Sequence, residues 1–364
     1  MAVDPYDLKD LMDQMQGDLI RSMKKTLKSH KREEEKEGFR WEQWQQAKLR
    51  NLILFRVESQ KTIEAANRKA REMAEELILS NFTKGYGLSF PESREGAGLD
   101  EEPPPENNFF AINKRKVEAL IKTVQNDLDK ASQATLRKTN DIYRQVIYKA
   151  SMNVAMGAKT LNKAVDMALK EFIENGIMSV TYKDGRQVSI VYYAEMAIRT
   201  ASQRATFMGE GARRDETGNR LIFVSSHNNT CKLCLPWQAR ILIDDVFAHG
   251  TEADGEYPLL SEAMKAGLLH PNCRHTIATY YPDVTVLPRK FNDKEVLENY
   301  GKEQKQRALE REIRKWKRIK AAATDSDTIG EANRKIKYYQ KAMREHLEEN
   351  DFLRRNPRRE KILA

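Results

Sequence analysis

The sequence is poor in the residues that staple secreted proteins or carry a chain across a membrane. It contains three cysteines in 364 residues, all between positions 231 and 273. An odd, clustered set of thiols argues against a disulfide framework and indicates a local thiol site in a reducing compartment. No apolar run approaches the roughly 18 residues of a membrane span. The polar, acidic start MAVDPYDLKDLMDQ lacks the pattern of a secretory signal, so we expect folding in the cytoplasm without a membrane partner.

The formal net charge of +9 is concentrated at the C-terminal end. Residues 286–364 carry 22 lysines and arginines against 14 aspartates and glutamates. Such a segment is typical either of a solvated helix face or of a surface that contacts a polyanion. Six cations lie within ten residues and are the candidate DNA-facing side chains: Arg311, Arg314, Lys315, Lys317, Arg318 and Lys320. The alternative is an arginine-rich helix that pairs internally with Glu310 and Glu312 and packs through Trp316.

Apolar residues recur at helical spacing along most of the chain. The spacing predicts a long helix over 36–80, further helices beginning near Val117 and Ile142, and one over 161–175 with Gly176 as its C-cap. After Pro288 it predicts a pair of charged helices, over 288–320 and 331–349. Residues 84–108 include Pro91 and a run of three prolines at 103–105, which predicts a linker or extended arm.

A small sheet is predicted in the middle of the chain. Residues 179–182 and 188–191 have strand character and flank Asp184-Gly185, a strong signal for a hairpin. A helix over 192–209 and strands over 221–225 and 275–281 are predicted to follow.

The predicted fold class is α+β and mostly helical, with long N-terminal helices, a small α+β domain and a basic C-terminal helical arm. The predicted domain boundaries are an N-terminal helical region (1–84), a Pro/Gly-rich linker (85–108), a second helical region (109–178), the small α+β domain (179–285) and the basic arm (286–364).

A set of thiols and imidazoles is the chemically distinctive feature of the sequence. Cys231 and Cys234 form a CxxC turn, and His270 and Cys273 form an HxxC turn. Side chains at these spacings converge on one soft cation, and zinc is the usual occupant in a reducing compartment. His275 competes with His270 as fourth ligand, because residues 273 and 275 share one side of a strand. The sequence predicts a closed structural Zn²⁺ site that staples the small α+β domain.

Other interpretations of the cluster compete with zinc binding. The residues could be ordinary buried cysteines and histidines near a turn. A redox CxxC is disfavoured because Pro236-Trp237 does not resemble the helix start that such a motif needs. The rival function is a zinc-dependent nucleic-acid-processing enzyme of the HNH nuclease type, which would use His227 or His249. Walker, dinucleotide, GxSxG and HExxH motifs are absent, so no catalytic or cofactor-binding residue is assigned.

Four sequence segments together resemble a known family. They are Tyr193 with Arg199-Thr200, FVSSHNNTCKLCLPW at 223–237, HPNCRHT at 270–276 and QKQRALEREIRKWKR at 304–318. The combination resembles the phage minor capsid protein 2 family over about residues 143–361 and, more distantly, the phage Mu-type head-morphogenesis proteins. Mu-type relatives commonly end the motif as HPNCxC where this chain has His275, which leaves the fourth ligand open between the two histidines.

The resemblance implies a non-enzymatic virion protein present in few copies. It implies a place inside the head near the portal vertex, a role in head assembly and in DNA packaging or ejection, and a passage through the host cytoplasm during assembly. The implied partners are the portal protein, the major capsid or scaffolding protein, packaged DNA bound non-specifically, and further copies of the chain at the portal vertex. We expect the N-terminal helices to contact the portal through apolar faces.

Overall fold

The computed structural model describes residues 3–28, 41–97, 106–155, 167–170, 173–174, 176–182, 184–323 and 326–362. Most of these residues are helical and a small part forms sheet, as the sequence predicts. No helix in the described ranges is long and apolar enough to cross a membrane.

Two compact units make up the chain, and each combines three stretches of sequence. Unit 1 contains Met1–Pro5, Glu72–Gln125 and Met196–Gln304, and unit 2 contains Tyr6–Arg71, Asn126–Glu195 and Lys305–Ala364. The units are discontinuous in sequence, whereas the domains predicted from the sequence are consecutive segments, and those boundaries stay a prediction.

The helices and strands have the following bounds. The α-helices are α1 Pro5–Lys28, α2 Trp41–Ala97, α3 Glu106–Ala155, α4 Ile190–Thr217, α5 Leu260–Lys265, α6 Asp293–Ala322, α7 Ser326–Glu348 and α8 Pro357–Glu360. The strands are β1 Met178–Thr181, β2 Gln187–Ser189, β3 Leu221–Val224, β4 Ile241–Ile243 and β5 Ile277–Thr279. Short 3₁₀ helices cover Leu235–Trp237 and Glu252–Asp254.

Most predicted elements are present with shifted ends. The antiparallel β1–β2 hairpin, β3, β5 and the α6–α7 pair match their predictions. Ile190 and Val191 were expected to end a strand and instead begin α4. The helix predicted over 161–175 lies partly outside the described residues. Gly176 has φ +74°, which suits the predicted C-cap.

The predicted linker over 85–108 is corrected over much of its length. α2 continues to Ala97 and α3 begins at Glu106, while residues 98–105 lie outside the described residues. Inside unit 1, a Cβ added to Gly85 would come within 2.2 Å of the Thr206 carbonyl oxygen in α4. Gly85 therefore permits a close helix–helix contact, and α2 continues past it to Ala97.

A second glycine completes the crossing of α2 and α4 in unit 1. A Cβ added to Gly209 would lie 2.2 Å from the carbonyl oxygen of Phe82. Beside the crossing, the Tyr86 hydroxyl donates to the carboxylate of Glu216 at 2.8 Å. Backbone proximity at this crossing leaves no room for larger residues.

Unit 2 buries the apolar face of α1. This face repeats at spacings of three and four and consists of Leu8, Met12, Met15, Leu19, Met23 and Leu27. At its polar edge, the buried carboxylate of Asp13 accepts a hydrogen bond from Arg318 at 2.9 Å. The expectation that the N-terminal helices present apolar faces to a partner is therefore wrong for α1, because that face packs inside its own unit.

The three-stranded sheet of unit 1 positions the candidate site. Its order is β4-β3-β5, and both pairings are antiparallel. The Arg214 guanidinium in α4 donates to Asp244 at 2.8 and 3.0 Å, and both side chains are fully buried. The other Asp244 oxygen accepts from the backbone N–H of Phe247 at 2.8 Å. These bonds hold the loop after β4 against α4.

Replacing Gly209 with alanine should lower the free energy of unfolding by about 1–3 kcal/mol, because the new methyl group overlaps a backbone carbonyl. Gly87 is the matched control, since a Cβ there meets nothing within 4 Å. Gly87→Ala should be neutral or stabilising by up to about 1 kcal/mol. Urea denaturation followed by circular dichroism measures both variants. Equal stability of the two variants would contradict the close crossing.

Candidate metal centre

Two loops of unit 1 form the site, and both contain a tight turn. In the first loop, the Cys234 backbone N–H donates to the Cys231 carbonyl at 3.2 Å. In the second, the Cys273 N–H donates to the His270 carbonyl at 2.8 Å. The first loop follows β3 and the second precedes β5. Because β3 and β5 pair antiparallel, the two loops emerge at the same edge of the sheet.

The sulfur and imidazole groups of the two loops converge. Cys231 Sγ lies 3.2 Å from His270 Nε2, Cys234 Sγ lies 3.5 Å from Cys273 Sγ, and Cys273 Sγ lies 3.4 Å from His275 Nδ1. The ligand atoms form two triads that share Cys234, and in each triad they all lie within 4.8 Å of one another. Ligand sulfurs around a tetrahedral zinc ion are about 3.8 Å apart, given Zn–S bonds of about 2.3 Å. The observed separations fit such an ion.

Both histidines turn one ring nitrogen toward the thiols. His270 Nδ1 lies 2.8 Å from the Pro271 carbonyl, so this nitrogen carries the proton and Nε2 faces Cys231. His275 Nε2 lies 3.4 Å from Gln238 Oε1, which leaves Nδ1 facing Cys273. In each ring, the nitrogen on the far side from the thiols contacts a protein oxygen. Outer hydrogen bonds of this kind orient the imidazole of a histidine that binds a metal ion. The two histidines differ in burial, since His275 is buried and His270 is half-buried.

The electrostatics of the site favour thiolates at two positions. Hydrogen bonding from Cys234, followed by His275, lowers the pKa of Cys273 to about 4. The same contact and burial raise the pKa of Cys234, because its proton is shared with the Cys273 thiolate. Burial opposes ionisation of Cys231, yet hydrogen bonds from the Cys234 backbone and the His270 side chain outweigh it and lower the pKa of that thiol. A cation bound here would meet preformed negative charge.

Glu303 in α6 joins the two loops, and the sequence analysis did not identify it. One carboxylate oxygen accepts from Asn229 Nδ2 at 2.9 Å, and the other pairs with Arg274 at 2.7 Å. One turn earlier in α6, Asn299 donates to the Asn228 carbonyl at 3.0 Å. The one sequence signal was the spacing of four between Asn299 and Glu303, which places both on one helix face.

The two histidines of the nuclease hypothesis do not converge. His249 Nδ1 lies 2.6 Å from Asp215, and the backbone of the adjacent Gly250 bonds to Asp244 just after β4. His227 follows the opposite end of β3, where its ring contacts His275 with centroids 4.8 Å apart. The structure therefore places His227 near the thiols and His249 away from them.

The six candidate DNA-facing cations lie in unit 2, and four of them have partners inside that unit. Arg314 donates to the Tyr192 hydroxyl at 2.7 Å, Lys315 lies 3.5 Å from Glu174, Lys317 donates to the Glu360 carbonyl at 2.8 Å, and Arg318 pairs with Asp13 at 2.9 Å. Trp316, which lies among these cations in the sequence, is buried. Burial of Arg314 and Arg318 corrects the DNA-facing assignment for these two residues, whereas Arg311 and Lys320 are exposed.

Comparison with known proteins places the chain among phage structural proteins. The profile of the phage minor capsid protein 2 family matches residues 4–348. A structural protein of Lactococcus phage LL-H is 28% identical over 228 residues, which cover 60% of this chain and 61% of that protein. A structural protein of Lactococcus phage mv4 is 39% identical over 117 residues, which cover 29% of this chain and 93% of that protein. No solved structure matches the chain.

These matches define the class of protein as a structural component of a phage virion. The chain belongs to the phage minor capsid protein 2 family, which confirms the resemblance carried by its sequence segments. It spans about three fifths of the length of the LL-H relative.

Replacing Glu303 with glutamine should destabilise unit 1 by about 1–3 kcal/mol, because it removes the charge of a buried carboxylate bonded to both loops. Glu298→Gln is the matched control, since Glu298 is an exposed glutamate of the same helix. Its change should stay within about 0.5 kcal/mol. Thermal and urea unfolding of both variants measure the difference. A Glu303→Gln protein as stable as the control would show that Glu303 does not hold the loops.

Proposed function

We propose that this minor capsid protein lies inside the phage head at the portal vertex, in few copies, and aids head assembly and DNA packaging or ejection. In this proposal the protein is not an enzyme, and its principal partner is the portal protein. The supporting observation is an apolar surface on α2, in unit 2. Its side chains have exposed fractions of 44, 71, 67 and 46% and are Leu49, Ile53, Leu54 and Val57.

This surface suits a protein partner. Leu49, Ile53 and Val57 recur every four residues, so they lie in a row along one face of α2, with Leu54 beside it. Large apolar side chains exposed together mark interaction sites more often than isolated ones do. On the opposite side of the helix, Phe55 is buried and stacks on Tyr143 with ring centroids 4.5 Å apart. The helix is thereby held in place while the apolar surface is presented.

The remaining proposed partners are distinguishable from the portal by experiment. The major capsid protein, the scaffolding protein or a second copy of this chain could occupy the same apolar surface. Each is a defined component that can be purified and tested separately against the same variants. The portal is favoured here because a minor component in few copies matches a unique vertex better than the repeated capsid lattice.

The double variant Ile53→Glu/Leu54→Glu should reduce co-purification with the portal protein of the same phage at least tenfold, because two charges would be buried in the interface. Val286→Glu is the control, since Val286 is 91% exposed in unit 1. Both variants should unfold at the temperature of the parent. Undiminished portal binding by the double variant would contradict the proposed contact, and selective loss of capsid, scaffolding or self-association would assign the surface to that partner.

We further propose that non-specific contact with packaged DNA uses exposed cations of the basic arm, such as Arg311 and Lys320. Removing both with Arg311→Gln/Lys320→Gln should reduce the slope of log affinity against log salt by about 2. Lys116→Gln/Lys122→Gln removes the same charge from exposed positions of α3 and should leave the slope unchanged. Fluorescence anisotropy with duplex DNA measures the slope. Absence of binding by the full chain would reject the DNA contact.

The same duplex DNA, recovered after incubation, also tests the nuclease alternative. DNA recovered after incubation with the zinc-loaded protein should be intact. Metal-dependent cleavage that is lost in His227→Ala would overturn the non-enzymatic proposal.

A further inference from the structure

We propose that Cys231, Cys234, Cys273 and His270 bind one zinc ion in unit 1, and that this ion holds the start of α6 on the two ligand loops. The proposal rests on the geometry of unit 1 alone. It is independent of where the protein lies in the virion.

We take the ligand set from the matching geometry of the two turns, so that it combines the first triad, Cys231, Cys234 and His270, with Cys273 of the second. Each turn places its two candidate ligands three residues apart and is closed by a backbone bond from the second ligand to the first, Cys234 to Cys231 and Cys273 to His270. The closest contact between the loops at their first positions is Cys231 Sγ to His270 Nε2, at 3.2 Å. At their second positions it is Cys234 Sγ to Cys273 Sγ, at 3.5 Å. Two such turns facing each other supply four donors to one tetrahedral ion.

His275 is assigned as a positioning residue rather than a ligand. Its backbone N–H donates to Cys273 Sγ at 3.4 Å, and its ring Nε2 is held by Gln238 Oε1 at 3.4 Å. Thr230 supplies a further polar neighbour at 3.4 Å from the same ring nitrogen. These contacts anchor the imidazole, and its Nδ1 lies 3.4 Å from Cys273 Sγ. The pairing of the two turns, and not these contacts, selects His270 as the fourth ligand. Such outer contacts tune metal affinity by about 10–100-fold.

The ion is coupled to α6 because the helix binds residues next to the ligands. Asn299 contacts Asn228, and Glu303 contacts Asn229 and Arg274. Arg274 directly follows Cys273, and Asn229 lies two residues before Cys231. Both loops lie outside the strands, which are only three or four residues long. An ion that fixes the loops therefore fixes the surface on which α6 docks.

Metal content and hydrogen exchange of the full chain test the coupling. Protein purified without chelator should contain about one zinc per chain by elemental analysis. Chelation should speed amide exchange at least tenfold in residues 228–234, 270–276 and 297–304, and added zinc alone should reverse it. The β1–β2 hairpin of unit 2 is the internal control and should not change. A metal-free protein that takes up no zinc, or chelation that leaves α6 exchange unchanged, would overturn the proposal.

Cobalt substitution tests the ligand set. His270→Cys should keep one Co²⁺ per chain, with its absorption bands shifted toward those of four-sulfur coordination, because a thiolate replaces an imidazole. His275→Gln should keep the parent's bands and weaken Co²⁺ binding by about 10–100-fold. His249→Gln is the control, because His249 pairs with Asp215 away from the thiols. Bands that shift in His275→Gln and not in His270→Cys would overturn the assignment and make His275 the ligand.

Discussion

The antiparallel pairing of β3 with β5 is the constraint on which unit 1 depends. It brings the end of one strand and the start of the other to the same sheet edge, so that side chains 39 residues apart in sequence come into contact. The strands are only three or four residues long, and their side chains Ile222, Val224, Leu242 and Ile277 share one buried apolar cluster with Cys234 and Cys273. At the same edge, contacts from sulfur, imidazole and the Glu303 carboxylate join the two loops. The site and the small sheet stabilise each other.

Charge in this protein is used inside each unit as well as on its surface. Arg214 with Asp244 in unit 1 and Arg318 with Asp13 in unit 2 are buried ion pairs between distant parts of the sequence. Such pairs cost desolvation, and losing one partner leaves an uncompensated charge, so they favour one arrangement of helices over others. The basic C-terminal arm shows why net charge is a weak guide to DNA binding. Part of its excess is matched by acids and carbonyls within unit 2.

Local sequence patterns predicted those helices and strands that are determined by residues close together in the sequence. Asp184-Gly185 indicated the hairpin, and apolar spacing indicated α6 and α7. The rule that glycine and proline interrupt helices failed between 85 and 97, and at Gly85 the reason is that the close contact with Thr206 needs a glycine. In the candidate site, the spacing of Cys231, Cys234, His270 and Cys273 was readable. The role of Glu303 could not be predicted, because nothing in the sequence of a charged helix shows that one of its glutamates contacts two distant loops.

The linear chain was enough to establish the family and the mostly helical fold class, because both are expressed in residue types at short spacing. It also predicted which residues could bind a soft metal ion. Three-dimensional packing decided what spacing does not encode. It buried the apolar face of α1, left Ile53 and Leu54 exposed on α2, and turned Arg314 and Arg318 inward. The physical reason is that burial and pairing depend on which distant segments meet, and helices of similar composition differ in the neighbours that they acquire.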